Sequence, residues 1–279
     1  MVEENVSHQL DEFAMARTQL SGAHILLVED NPFNQLVVTD LLKIVGATVV
    51  AADNGKKALE QLSSAQFDLV IMDTQMPVMD GYETTRQIRM EPSLANLRII
   101  AMTANVTDED RKRCYSAGMD DFMSKPIDPD QMYTILAKWL PKPIIGDVKY
   151  HSIIEKQDVS ELEPEPVDMS VLNKAFHHDG DLVSKFANKF IQVANETLLE
   201  MKAAKFKQDL ATLGGLGHKL KSSARTIGAI GFADLCDRLE AASKNNNWPE
   251  AQTLMTQIPL LLERVTQQLE QEIGDKDTG

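Results

Sequence analysis

The run Leu69-Val70-Ile71-Met72-Asp73-Thr74-Gln75-Met76-Pro77 decides the fold. Its first four residues are apolar and strand-length, and it ends on an acid followed by a proline-containing turn. A continuous apolar run of this kind suits a strand buried on both faces. Outward from it the pattern repeats. Ile25–Val28, Thr48–Ala51 and Ile99–Met102 are further apolar runs, and Asp121–Met123 is a weaker one. Amphipathic stretches separate or follow them: Phe33–Val45, Gly55–Leu62, Tyr82–Met90, Asp108–Ala117 and Asp130–Trp139. Strands alternating with helices imply an α/β doubly wound, five-stranded parallel sheet covered on both faces. The strand order 2-1-3-4-5 fits this length.

After about Leu140 the pattern changes. Pro141, Pro143, Pro164 and Pro166, with Glu161, Glu163 and Glu165, mark a charged linker. A flexible coil of about 27 residues has a root-mean-square span of roughly 30 Å. Beyond Asp168 no strand signal remains. A short segment, Ser170–Phe176, precedes four helical patterns, Leu182–Phe206, Asp209–Thr226, Phe232–Ser243 and Pro249–Glu272. Short connections between them predict an all-α four-helix bundle, with Asp181 and Asp234 as cap or first-turn acids. The expected organisation is an N-terminal extension over 1–22, a first domain over 23–141, a linker over 142–167, a helical domain over 168–272 and a tail over 273–279.

The 279 residues carry a net charge of −14 and 43% hydrophobic side chains, as expected of a globular protein. Acidity argues against direct nucleic-acid binding, which relies on clustered Lys and Arg. The one compact basic cluster, Arg111-Lys112-Arg113, is expected on a solvated helix face. No apolar run approaches membrane-spanning length and the acidic start is no signal peptide, so no membrane insertion and a cytoplasmic location are expected. Cys114 and Cys236 are expected as small buried side chains without a disulfide.

Parallel strands end on one edge, so the polar residues at their ends converge. Glu29 and Asp30 follow the first strand, Asp73 the third, Thr103 the fourth and Lys125 the fifth. Crowded carboxylates repel unless a cation intervenes, and an oxygen-only donor set selects a hard ion, Mg²⁺ in a cytosol. A cation, a lysine and a hydroxyl around one carboxylate make a site for phosphoryl transfer, with Asp73 as nucleophile.

These residues resemble a family. Leu27-Val28-Glu29-Asp30-Asn31 with Asn34-Gln35, Met72 to Gly81, Met102-Thr103-Ala104 and Lys125-Pro126 resemble the receiver domains of two-component response regulators, which are flavodoxin-like. The resemblance implies that Asp73 is phosphorylated and that Glu29, Asp30, Asp73 and the Gln75 carbonyl hold Mg²⁺. It implies that Thr103 and Lys125 contact the phosphoryl oxygens and that Ala104 leaves room for them. Lys125-Pro126 would be cis, Thr103 and Phe122 would form the switch, and Asn105 and Gln75 would tune the acyl phosphate lifetime.

In the second domain, Leu213, Leu216, Leu220 and Ile227 share a helix face, and His218 lies off it, expected towards water with Lys221 beside it. An exposed neutral imidazole is nucleophilic near pH 7, and Lys221 could draw in a phosphoryl oxygen. Gly214, Gly215 and Gly217 have two readings: a bare patch for a docking partner, or a loop with the helix starting later. The stretch His218 to Ala229, with Leu235, Cys236 and Leu239-Glu240, resembles a histidine phosphotransfer (HPt) domain, which implies a second phosphorylation site at His218. Ser222 departs from the glycine common in that family; its small hydroxyl is expected still to permit docking, with mild weakening at most. His8, His24, His151, His177 and His178 have no such setting.

Together the resemblances imply a phosphorelay intermediate whose partners are a sensor histidine kinase and a downstream response regulator receiver domain. No ATP-using kinase module is recognisable in the sequence. One alternative is a phosphorylation-switched binding module. Another is the C-terminal fragment of a hybrid histidine kinase, and the Gln19–Ala23 start resembles a linker within such kinases. A Mg²⁺-dependent aspartyl phosphatase would need a second Asp where Gln75 stands.

Overall fold

The computed structural model describes residues 18–104, 107–140, 166–176 and 179–274. Asn105, His8, His151, His177, His178, most of the expected N-terminal extension and linker, and most of the expected tail lie outside the described residues.

Five strands form one parallel sheet: β1 His24–Val28, β2 Thr48–Ala52, β3 Leu69–Asp73, β4 Arg98–Thr103 and β5 Asp121–Ser124. Their order is β2-β1-β3-β4-β5, as expected. All five residues of β3 are buried. Side chains alternate across a sheet, and here both faces are covered. Ile25, Leu27, Ile71 and Met102 pack towards α1 Pro32–Ile44 and α5 Pro129–Trp139. Leu26, Val28, Val70 and Met72 pack towards α2 Gly55–Ser64, α3 Gly81–Met90 and α4 Asp108–Ala117.

Each of these five α-helices starts at a side-chain cap. Asn31, Asn54, Asp80, Thr107 and Asp128 each accept a backbone N–H of the first turn. The basic cluster is exposed on α4, as expected, with Arg111 over the Phe122 ring and Arg113 over the Tyr82 ring, at 4.9 and 4.7 Å from the ring centroids. Cys114 and Cys236 are buried and unpaired.

The second half is helical: a short α6 Met169–Ala175, then α7 Gly180–Phe206, α8 Leu210–Thr226, α9 Ile230–Lys244 and α10 Trp248–Gly274. α7 packs on α8, α8 on α9, α9 on α10 and α10 back on α7, closing a four-helix ring. The cap acids meet expectation in part. Asp179 caps α7 by accepting from the Asp181 and Leu182 amides, and Asp181 is a first-turn acid, one of the two roles expected of it. Asp234 lies inside α9, because that helix starts early at Ile230 behind an uncapped Ala229.

α8 is continuous through the glycines, so the loop reading fails. The bare-patch reading holds for Gly215 alone, where a Cβ would meet nothing within 4 Å. A Cβ on Gly214 would sit 2.4 Å from Ser243, and one on Gly217 would sit 2.9 Å from the Cys236 carbonyl. Those two glycines bring α8 and α9 together.

The halves are not separate in space. α1 packs against α7 and α8. Phe33 is fully buried, with its ring edge-on to Phe190 at 6.0 Å and Phe186 at 6.4 Å. One hydrophobic cluster runs from the sheet through Phe33 into the helical bundle.

Candidate functional site between the two halves

Register builds the site. Val28 lies opposite Met72 on neighbouring strands, so Glu29 and Asp73 emerge side by side at the sheet's C-terminal edge. Glu29, Asp30 and Asp73 offer oxygens that all lie within 4.8 Å of one another. Lys125 closes the cluster, its Nζ 2.6 Å from Glu29 Oε2 and 2.7 Å from Asp73 Oδ2. The Lys125–Pro126 peptide is cis. The Gln75 amide donates to Asp73 Oδ1 at 3.1 Å, and Thr103, buried at the end of β4, accepts the Lys125 amide through its carbonyl. Phe122 is half-buried with Tyr115 edge-on at 6.3 Å.

Burial sets the electrostatics. It pushes the Glu29 carboxyl up to about 7, with Asp73 adding repulsion and Lys125 opposing. Asp30 is raised for the same first reason, and again Asp73 adds to it. Burial disfavours the Lys125 charge, but Asp73 and Glu29 outweigh that and raise its pKa. Glu29 Oε2 is buried and, despite nearby Lys125, receives no aligned hydrogen bond. Three close carboxylates with an under-satisfied oxygen are a donor set that fits a hard divalent ion.

Gly81 sits tightly behind this cluster, because a Cβ there would lie 2.1 Å from the Asp73 carbonyl oxygen. Gly81→Ala is expected to displace Asp73 and cost about 1–3 kcal/mol, read as a lower Tm by calorimetry.

His218 comes from the other half. It lines the same small pocket as Asp73, Gln75, Ala104 and Lys125. The expectation that His218 faces water is therefore corrected. Its side chain is 20% exposed, because the first domain packs over that face of α8. His218 Nδ1 lies 3.2 Å from Glu240 Oε2. Burial would raise the Glu240 carboxyl, but hydrogen bonds from His218, Lys221 and Lys244 outweigh it and hold the group well below the usual carboxylate range. An ionised carboxylate only accepts, so Glu240 selects the Nδ1–H form of the ring, and in the neutral ring that tautomer leaves the lone pair on Nε2.

Lys221 is buried rather than free beside the histidine, and its Nζ donates to Glu240 at 2.6 Å and Asp237 at 2.9 Å. It still lines the pocket, as does Arg225, which has its nearest carboxylate, Asp237, at 4.0 Å. Glu240 and Arg225 stand in the Hpt-like stretches but were given no role from sequence. Arg225 had a signal, since positions 218, 221 and 225 share one helix face. Glu240 had only its place in the Hpt-like stretch, because its contact with His218 crosses from α9. A wider cleft of about 650 Å³ opens beside the pocket, reaching Asp30, Gln75, Gly215 and His218.

The response regulator receiver domain family matches residues 25–137 and the Hpt domain family matches residues 185–271. Sensor protein GacS of Pseudomonas syringae pv. syringae is 29% identical over 234 residues, covering 80% of this chain and 25% of that protein. Sensor histidine kinase GacS of Pseudomonas protegens is 30% identical over 226 residues, covering 80% of this chain and 24% of that protein. The chain thus spans about a quarter of the length of these relatives. The receiver domain of a Pseudomonas aeruginosa PAO1 sensor histidine kinase, solved with a magnesium ion in its active-site cleft, is 39% identical with a TM-score of 0.41, covering 43% of this chain and 98% of its own. This chain therefore belongs to the response regulator receiver family in its first half and to the Hpt family in its second.

Proposed function

We propose that the chain is a phosphorelay intermediate. A phosphohistidine of a sensor histidine kinase donates to Asp73, and His218 carries the phosphoryl group to or from the aspartate of a downstream response regulator receiver. The observation that carries this reading is that Asp73 and His218 line one pocket. Residues 23–141 and 168–272 are the two working units in this reading, with 142–167 as their linker. A cytoplasmic setting goes with it. Among the described residues no helix is long and apolar enough to cross a membrane.

Glu29, Asp30, Asp73 and the Gln75 carbonyl would hold Mg²⁺, which when bound neutralises charge on the phosphoryl oxygens. An Asp73 Oδ attacks phosphorus and forms the acyl phosphate. Lys125 and the Thr103 hydroxyl meet the phosphoryl oxygens, and Ala104 leaves space for them. Thr103 and Phe122 would respond to phosphorylation as the switch. For the next step His218 Nε2 presents its lone pair while Glu240 retains the Nδ1 proton, and Lys221 and Arg225 supply positive charge nearby.

The two GacS relatives are named as sensor kinases, which favours a second reading in which these domains form the relay part of a hybrid histidine kinase. ATP chemistry has no assigned residues in the present sequence under either reading.

Phosphate tracing tests the proposal. A purified phosphohistidine donor with Mg²⁺ is expected to label both Asp73 and His218 in the intact chain. Asp73→Asn should abolish both labels, and His218→Gln should abolish the acid-labile histidine label alone. Normal His218 labelling in the Asp73→Asn variant would show that the serial order is wrong.

A further inference from the structure

Polar groups on the side of α8 that meets the first half are matched one by one. Asn31 Nδ2 donates to the Lys219 carbonyl and to Ser223 Oγ, each at 2.8 Å. Asn34 Nδ2 donates to Ser222 Oγ at 3.0 Å, so the serine in the family's glycine position has a partner across the boundary. Lys221 gives two of its N–H donors to Glu240 and Asp237. Arg225 is the exception. Among the described residues its guanidinium makes no hydrogen bond, and its nearest carboxylate is Asp237 Oδ2 at 4.0 Å. Its side chain is nevertheless only 26% exposed. A charged group largely withdrawn from water is costly without partners, and an idle guanidinium in a pocket implies a ligand that comes and goes.

Position 225 lies two turns beyond the histidine. At about 100° per residue, residues 218 and 225 sit within about 20° of each other around the helix, whereas residue 221 is turned about 60° away. Long side chains on a helix lean towards its N-terminus, so the guanidinium reaches back towards His218. Arg225 and His218 line the pocket that also holds Asp73.

We propose that Arg225 is the phosphoryl ligand of the second half. Its fork of N–H groups donates to two oxygens of the phosphoryl group once phosphorus is bonded to His218 Nε2, while Lys221 serves as the buried counter-ion of Glu240 and Asp237. The inference rests on the phosphorelay reading and divides between two residues the positive charge placed near His218. A planar guanidinium matches phosphoryl oxygens two at a time, which a point-like ammonium does not. The step balances. The Nε2 lone pair forms the N–P bond, the bond from phosphorus to the aspartyl oxygen breaks, and its electron pair stays on the carboxylate. Arg225 donates hydrogen bonds throughout and exchanges no proton.

Arg225 also stands in the last turn of α8, where the helix dipole favours any cation. The test separates that role from ligation. The full chain is labelled with acetyl phosphate and Mg²⁺, the donor is removed, and the label is divided into alkali-labile aspartyl phosphate and acid-labile phosphohistidine. Arg225→Gln is expected to shift the His218-to-Asp73 ratio towards Asp73 by about 10-fold to 100-fold, the scale of a lost charged hydrogen-bond pair. Arg225→Lys should recover only a minor part, because it keeps the charge and loses the fork. The Tm of Arg225→Gln should equal or exceed that of the parent, since an unpartnered cation leaves the boundary.

An unchanged ratio in Arg225→Gln overturns the proposal. So does the parent's ratio reached more slowly, which would assign Arg225 to holding the halves together. A lowered Tm that Arg225→Lys restores along with the ratio also overturns it, leaving the residue as a helix-end cation. A parent chain that never labels His218 is a separate outcome, because it removes the phosphorelay reading itself.

Discussion

Replacing Lys125 by methionine is expected to slow labelling of Asp73 by acetyl phosphate by about 100-fold to 1000-fold, the loss typical of one donor aimed at developing charge. The size follows from the setting. The Lys125 side chain is 8% exposed and its ammonium contacts Asp73 and Glu29 at 2.7 and 2.6 Å. Burial alone would lower its pKa, yet the two acids outweigh burial, raise the pKa and hold the charge in place. Fixed charge in a water-poor site costs no reorganisation when the phosphoryl group arrives. Methionine keeps the stem's volume and removes the charge. Mg²⁺-induced stabilisation, read as a Tm shift, should persist, because the three carboxylates remain. A labelling rate within a few-fold of the parent would show that Lys125 is only a counter-ion for the acid cluster.

Glu240 carries the second large effect. It binds Lys221 Nζ at 2.6 Å and Lys244 Nζ at 2.5 Å, and meets His218 Nδ1 at 3.2 Å. Glu240→Gln keeps the shape, removes the charge and is expected to cost about 2 kcal/mol, the scale of a lost charged hydrogen bond. The carboxyl sits far below its ordinary 4.5 in the folded protein, so its contribution is fully present above pH 4.5 and fades as pH falls towards the folded value. The stability gap between parent and variant should therefore be flat from about pH 5 to 8 and narrow on further acidification. Transfer to His218 should slow by about 10-fold to 100-fold, because the orienting carboxylate no longer selects the Nδ1–H tautomer. A gap that widens in acid would mean that Glu240 is protonated in the native state.

Much of this was legible beforehand, and for local reasons. β3 is an apolar strand ending on an acid, and its neighbours repeat the form, so the sheet and its strand-end residues followed from periodicity, while the strand order followed from chain length and connection rules instead. The four bundle helices lie within a few residues of their expected spans. What stayed hidden depends on partners distant in sequence. His218 looked solvent-facing because a helix's own pattern carries no trace of a second domain lying on its polar side. Lys221 looked free because Glu240 and Asp237 belong to the next helix. Gly214 and Gly217 had been read as partner access or as a loop, because a sequence does not show which glycines admit a neighbouring helix. Ser222 looked like a defect until Asn34, 188 positions earlier, was placed against it.

The aromatic knob at Phe33 bears on how interchangeable these modules are. A bundle that has grown around a foreign phenylalanine is no longer a self-sufficient cassette. Transplanted behind a receiver with a small residue there, it would uncover the sides of Phe186 and Phe190 that Phe33 now covers and gain stickiness along with its new neighbour. Rewiring the pathway by exchanging halves would therefore have to carry residues 31, 33 and 34 along with the bundle, as one inherited unit.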